Sequence, residues 1–201
     1  MTQSSRTLGK AGNPVAQSMV SRQGQLDSLC GLYAVINAIM LVVGDDVRRP
    51  GIRKLLSDAG VDQLASEGYL AEAFKEGMPF RVLCRMFNAV AVELEALEGI
   101  AVRYSIAANP SFGIDAFTER MATHLATHGP GSAILVVHGY IDHWTVVSAI
   151  DAHRVHLADC YGFRYFKRPS LKTDKDELPE RRHELWPTQS LLLRRSKPKK
   201  T

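Results

Sequence analysis

The chain has 201 residues, 45% of them hydrophobic and 23% charged, with a formal net charge of +4; this fits one globular domain with a sizeable core. No apolar run approaches the ~20 residues that a membrane helix requires, and the opening MTQSSRTLGKAGNPVAQSMV lacks the apolar core of a secretory signal. A cytoplasmic protein without a membrane partner is therefore expected, with delivery by a specialised secretion route left open.

Residues 1–22 are polar, carry Gly and Pro, and read as an extended arm. From Cys30 to Val43 the apolar positions Leu32, Val35, Ile36, Ile39, Met40 and Val43 follow the i, i+3, i+4, i+7 rhythm of an amphipathic helix. Asp27 or Ser28 is placed to cap its start and Gly44 to stop it. Further helices are expected near 50–58, 62–76 and 80–96, with Pro79 dividing the last two. Ile100 to Ile106 reads as a strand, and Asp115 to His128 as a helix ended by Gly129-Pro130. Ser132 to His138 is a nearly unbroken apolar run, as in a strand buried on both faces. His143–Ile150 and Arg154–Asp159 form an expected antiparallel hairpin. Residues 169–183 are charged, hold two prolines and read as a surface loop; Gln189–Arg194 reads as an edge strand. The fold class is α+β: a helical N-terminal half, with the cysteine-bearing helix packed on a mostly antiparallel C-terminal sheet.

The basic end Arg194-Arg195-Ser-Lys197-Pro-Lys199-Lys200 reads as a solvated flexible tail over 194–201. No nucleic-acid motif accompanies it, and nucleic acid is not an expected partner. The 3 cysteines form no CxxC pair, which argues against a disulfide framework or a structural zinc site. His124 and His128 stand four apart, but THLATHG lacks the glutamate of HExxH, so a solvent-facing helix end is expected there. No metal or cofactor is expected.

The candidate chemistry begins at Cys30. A free cysteine is commonly a small buried hydrophobe. This one opens its helix, where the dipole and free N–H groups favour a thiolate, and it falls roughly 150° from the centre of the apolar stripe at 100° per residue. His143 begins an apolar strand after the turn Gly139-Tyr-Ile-Asp142 and is the candidate base. A third group should orient the imidazole. Asp159, sixteen residues on, fits best; Asp142 and Asp151 are its rivals. For an oxyanion donor, Gln25 lies five residues before Cys30 and Gln23 seven before, and Gln25 is favoured.

The order of glutamine, cysteine-helix, histidine-strand and aspartate-strand resembles the papain-like cysteine protease superfamily. Josephin-type deubiquitinases are similar in Gln25-x4-Cys30, in Ser28-Leu-Cys and in His143-Trp followed by Thr and Val. That family usually carries Asn at the third position, where this chain has Asp159. Double-glycine leader peptidases are similar in Cys30-Gly31, in the Val-Val after the histidine and in a strand ending in Asp. They normally carry Asp-Cys-Gly and Asp-Pro, where this chain has Leu29 before Cys30 and Cys160 after Asp159. The resemblance is confined to the surroundings of Cys30 and of His143–Asp159. It implies thiol hydrolysis of a peptide or isopeptide bond through an acyl-enzyme, with a protein or peptide substrate, ubiquitin-like in one branch, and no cofactor. Acyl transfer of the transglutaminase kind on the same three residues is the mechanistic rival. A binding module that has lost turnover is the non-enzymatic one.

Overall fold

The computed structural model describes residues 20–23, 28–47, 49–107 and 112–196. Four helices come first: α1 (Cys30–Val43), α2 (Ile52–Ser66), α3 (Leu70–Glu76) and α4 (Phe80–Glu98). Then follow β1 (Ala101–Ile106), α5 (Ile114–His128), β2 (Ala133–Gly139), β3 (His143–Ile150), β4 (Arg154–Leu157), β5 (Tyr165–Lys167), β6 (Leu171–Thr173), β7 (His183–Leu185) and β8 (Leu191–Ser196). The architecture is α+β, as expected. The sheet runs β1-β8-β2-β3-β4-β5, with β7 also on β2 and β6 on β7. Every pairing is antiparallel except β6 with β7.

The unbroken apolar run of β2 has the expected cause. Ile134 and Val136 join a core with α1, α2 and α4, while Ala133, Leu135 and Val137 join a second core with Phe117 and Met121 of α5. The sheet is thus covered on both faces, so alternate residues of β2 are all apolar. Each large side chain so buried contributes about 1.5–3 kcal/mol.

The structure corrects the expected amphipathic α1. Leu32, Val35 and Ile39 are buried, but so are Ala34, Asn37 and Ala38. The helix lies between the sheet and α2 and α4, so only Tyr33 and Met40 of its residues are part-exposed. Asn37 is the polar exception. Its Nδ2 donates to the Ser21 carbonyl at 3.0 Å and its Oδ1 accepts the Ser21 N–H at 2.8 Å. Of the expected arm, residues 1–19 lie outside the described residues, whereas at its end Ser21 is bound to α1 and Val20 is buried.

The helix break falls later than expected, at Gly68 (φ +69°), because Gly60 lies inside α2. A Cβ on Gly60 would stand 2.5 Å from Leu32 Cδ1. The glycine therefore serves close packing of α2 on α1 rather than a turn. The expected surface loop over 169–183 contains β6, whose Leu171 and Thr173 are buried. β8 is an interior strand and not an edge strand. Leu191, Leu192 and Leu193 are buried between β1 and β2, and Arg194 and Arg195 continue the strand, with Arg195 paired to Asp46. The expected tail is therefore ordered strand as far as Ser196, and 197–201 lies outside the described residues. Among the described residues no helix is long and apolar enough to cross a membrane.

Candidate active site

Cys30 is the first residue of α1, so its N–H has no acceptor within the helix. Among the described residues no side chain caps this end. The expected cap Ser28 is used elsewhere: its hydroxyl donates to the Lys75 carbonyl at 3.2 Å and its N–H to the Phe74 carbonyl at 2.9 Å. Asp27 lies outside the described residues. Ser28 thereby ties the start of α1 to the end of α3. Gly31 completes the junction, since a Cβ there would press on Leu83 at 3.0 Å and on the Met78 sulfur at 3.3 Å. The segment Gly77-Met78-Pro79 is held from the other side by Trp144, whose Nε1–H donates to the Met78 carbonyl at 2.8 Å.

These contacts form a cleft of about 360 Å³. Cys30 and His143 open into it. Met78, Phe80, Val136 and Trp144 supply apolar walls, and Glu72, Glu76 and Asp142 supply carboxylates. Asp159 and Cys160 lie behind this opening and are buried. A second groove, of about 320 Å³, runs from Asp142 and His143 along Ile141, Tyr161 and Phe163.

His143 opens β3, as expected, and is buried. Its Nε2–H donates to Asp159 Oδ2 at 2.6 Å. Asp159 lies in the loop just after β4, not at the strand end expected for it. The position suits its task, because Oδ1 accepts the N–H groups of Tyr161 at 2.8 Å and Phe163 at 3.2 Å. Both oxygens of a carboxylate that is 1% exposed are thus occupied. The rivals are excluded by their own partners: Asp142 pairs with His138, and Asp151 with His156.

With Nε2 committed to Asp159, Nδ1 is the ring atom left for a thiol. Cys30 shares the cleft with His143, and a donor atom of Cys160 lies within 4.8 Å of one on His143. Burial pulls the imidazolium pKa down. The hydrogen bonds to Asp159, Cys160 and Cys30, together with the Asp159 charge, outweigh burial and leave it pushed up to about 12. The Tyr161 and Phe163 rings stand 5.0 and 6.0 Å from the imidazole and screen it from water.

Cys160 was not singled out by its sequence context, although its place beside Asp159 was the available signal. Burial pushes its thiol up, and the nearby Asp159 and Cys30 add to that against the His143 hydrogen bond. It therefore stays a thiol, and its S–H donates to Gln23 Oε1 at 3.4 Å. The Gln23 N–H also reaches the Cys160 carbonyl at 3.2 Å. Gln23 is thus seated beside the cysteine–histidine group, whereas Gln25 lies outside the described residues.

The histidine pair on α5 is not the solvent-facing end expected. The rings of His124 and His128 lie 4.3 Å apart, and His124 Nε2 bonds the Leu193 carbonyl at 2.7 Å. Burial first, and His128 and Arg120 among lesser causes, hold the His124 pKa down despite that bond. No protein-family model, curated protein or solved structure matches the chain.

Proposed function

We propose that this chain is a papain-like thiol hydrolase that cleaves a peptide or isopeptide bond through a thioester acyl-enzyme. One observation carries the reading: Cys30 and His143 open into one cleft, and His143 is held from behind by a buried, saturated Asp159 at 2.6 Å. A cysteine at a helix N-terminus, beside an imidazolium, is the setting that favours a nucleophilic thiolate.

In the proposed cycle Cys30 Sγ attacks the carbonyl carbon of the substrate. The oxyanion is met by the Cys30 N–H and by a glutamine amide from the 20–25 segment, for which Gln25 and Gln23 are the candidates. His143 passes a proton from Nδ1 to the leaving amine and the thioester forms. Water then attacks the thioester with His143 as base, and the acid departs as Cys30 is regenerated. Asp159 holds the ring throughout, with Nδ1 facing the sulfur. A reducing compartment such as the cytoplasm would keep all three free thiols reduced.

Intact-mass labelling with iodoacetamide at neutral pH tests the reading. Fast single-site labelling at Cys30 is expected, slowed on the order of 100-fold in His143→Ala. Turnover of peptide or ubiquitin-amide substrates should vanish in Cys30→Ala. Slow labelling shared among Cys30, Cys84 and Cys160, indifferent to His143, would overturn the hydrolase and favour a binding module. Ammonia released from a glutamine substrate only in the presence of an amine acceptor would replace hydrolysis by acyl transfer.

A further inference from the structure

A second group of titratable side chains lies along α5, in a groove that shares no lining residue with the Cys30 cleft. We propose that this groove, between α5 and the β8–β1 end of the sheet, binds a small phosphate monoester, gripped by Arg120 and Arg194 with His124 as a further donor. The inference goes beyond the hydrolase reading and does not rest on it.

The groove encloses about 550 Å³, a size ordinary for a small organic ligand. One wall is a single helix face, because Arg120, Thr123, His124, Thr127 and His128 recur at three- and four-residue intervals on α5. The sheet supplies the other wall. Its register sets Ser105 against Leu192 and Arg103 against Arg194, so these four share one face of the β1–β8 pair.

The charges on this face are unbalanced. Two arginines directly opposite one another repel unless each is neutralised. Arg103 is neutralised, by Glu95 at 2.7 Å, and the next residue of β8, Arg195, by Asp46. Among the described residues Arg194 and Arg120 stand in no salt bridge. Arg120 instead lies over the Phe112 ring at 5.7 Å. Two guanidiniums and two imidazoles thus line the groove against one carboxylate, that of Glu119.

His124 is fixed in place. Its Nε2–H donates to the Leu193 carbonyl at 2.7 Å, which leaves Nδ1 as the remaining ring nitrogen, and the His128 ring lies 4.3 Å away. Burial first, and His128, Arg120 and Arg194 among lesser causes, hold a proton off His124. A bound anion offsets those three charges and admits the proton, so Nδ1 becomes a donor and binding takes a proton up. A phosphate monoester carries nearly two negative charges near neutral pH and three strong acceptor oxygens. Guanidiniums meet such oxygens with paired N–H groups. The hydroxyls of Ser105 and Thr123 line the same groove and can donate to it, whereas that of Thr127 is committed to the Thr123 carbonyl at 3.0 Å.

Calorimetric titration of the full chain with phenyl phosphate in low salt tests the site. One equivalent should bind, several-fold tighter at about pH 6.5 than at about pH 8.5. The heat should vary with the ionisation enthalpy of the buffer, as proton uptake requires. Phenyl sulfate, of the same shape with a single charge, should bind on the order of tenfold more weakly. Arg120→Gln and Arg194→Gln, both at exposed positions, should each weaken binding roughly tenfold to a hundredfold. Arg81→Gln, exposed on α4, should leave it intact. The proposal is overturned by the lack of a saturable heat, by equal binding of the phosphate and the sulfate, or by binding that survives both groove variants. Tighter binding of a single-stranded RNA that has no terminal phosphate would also overturn it, in favour of a nucleic-acid contact. Cys30 labelling by iodoacetamide is read on the same samples. Failure of that labelling with phosphate binding intact would sink only the hydrolase reading, and the reverse result would sink only this one.

Discussion

Three histidine–aspartate pairs lie along the C-terminal half at nearly equal distance: 2.6 Å for His143–Asp159 and for His156–Asp151, and 2.8 Å for His138–Asp142. They differ in water. The side chains of the first pair are 3% and 0% exposed, those of the second 20% and 35%, and those of the third 30% and 79%. Asp151 also has a structural task at the β3–β4 turn, where Oδ1 accepts the N–H groups of His153 and Arg154. Its carboxyl is held at about 2, first by the His156 hydrogen bond and then by the His153 N–H. Solvent screens such a pair, and exposed pairs are worth roughly 0–1 kcal/mol. In the buried pair neither charge can turn to water, so each fixes the state of the other. The comparison teaches that distance alone does not mark a site. Burial of a carboxylate whose other bonds are already committed does.

Breaking the buried pair should have the largest effect. Asp159→Ala strands the His143 ring and the N–H groups of Tyr161 and Phe163, and a loss of about 3–5 kcal/mol is expected in urea denaturation. A cost below 1 kcal/mol would place this pair with the exposed ones. Asp159→Asn keeps an acceptor for the two backbone N–H groups but removes the charge and turns an NH2 donor toward the His143 Nε2–H. It should cost about 1.5–3 kcal/mol and bring the His143 pKa down, so that Cys30 labelling slows at neutral pH and persists in alkali.

The pH dependence sharpens the same contrast. The folded pKa of His143 is raised from 6.5 to about 12. Between those values the folded chain binds the extra proton, so stability falls as pH rises. In a Cys30→Ala background, which removes the competing thiol, the stability advantage over Cys30→Ala/His143→Gln should be complete below about pH 6.5 and shrink steadily in alkali. A difference that grows with pH in denaturant midpoints would mean that His143 is neutral in the fold.

Two smaller changes probe the walls and the exposed comparator. Trp144→Phe removes the hydrogen bond to the Met78 carbonyl and should cost about 1 kcal/mol. It should raise KM more than it lowers kcat, since it loosens a cleft wall and not the reacting groups. His156→Gln should change stability by less than about 1 kcal/mol and leave the labelling rate of Cys30 unaltered. A change as large as that of Asp159→Asn would erase the distinction between the pairs.

Much of this was legible in the sequence, for local reasons. The start of α1 at Cys30, its stop at Gly44, the limits of β3 and the β3–β4 hairpin follow from periodicity and turn residues over short stretches. The identity of His143 and Asp159 as partners was readable too, because a hairpin brings positions sixteen apart together. What failed was non-local. The helical pattern divides between 58 and 62 when only neighbours in sequence are weighed, but Gly60 packs against Leu32 inside α2. The charged 169–183 segment hides Leu171 and Thr173, whose burial depends on β7.

The sequence by itself determined the element types, the cysteine at a helix N-terminus and the histidine–aspartate pairing across one hairpin, because each rests on contacts within a few residues or one turn. The tertiary structure alone decided that α1 is covered by the sheet and by α2 and α4, that β8 lies inside the sheet between β1 and β2, and that Gln23 meets Cys160 beside His143. Those facts need segments up to 137 residues apart to meet. Such meetings are selected by burial of apolar surface over the whole chain, and no local pattern encodes them.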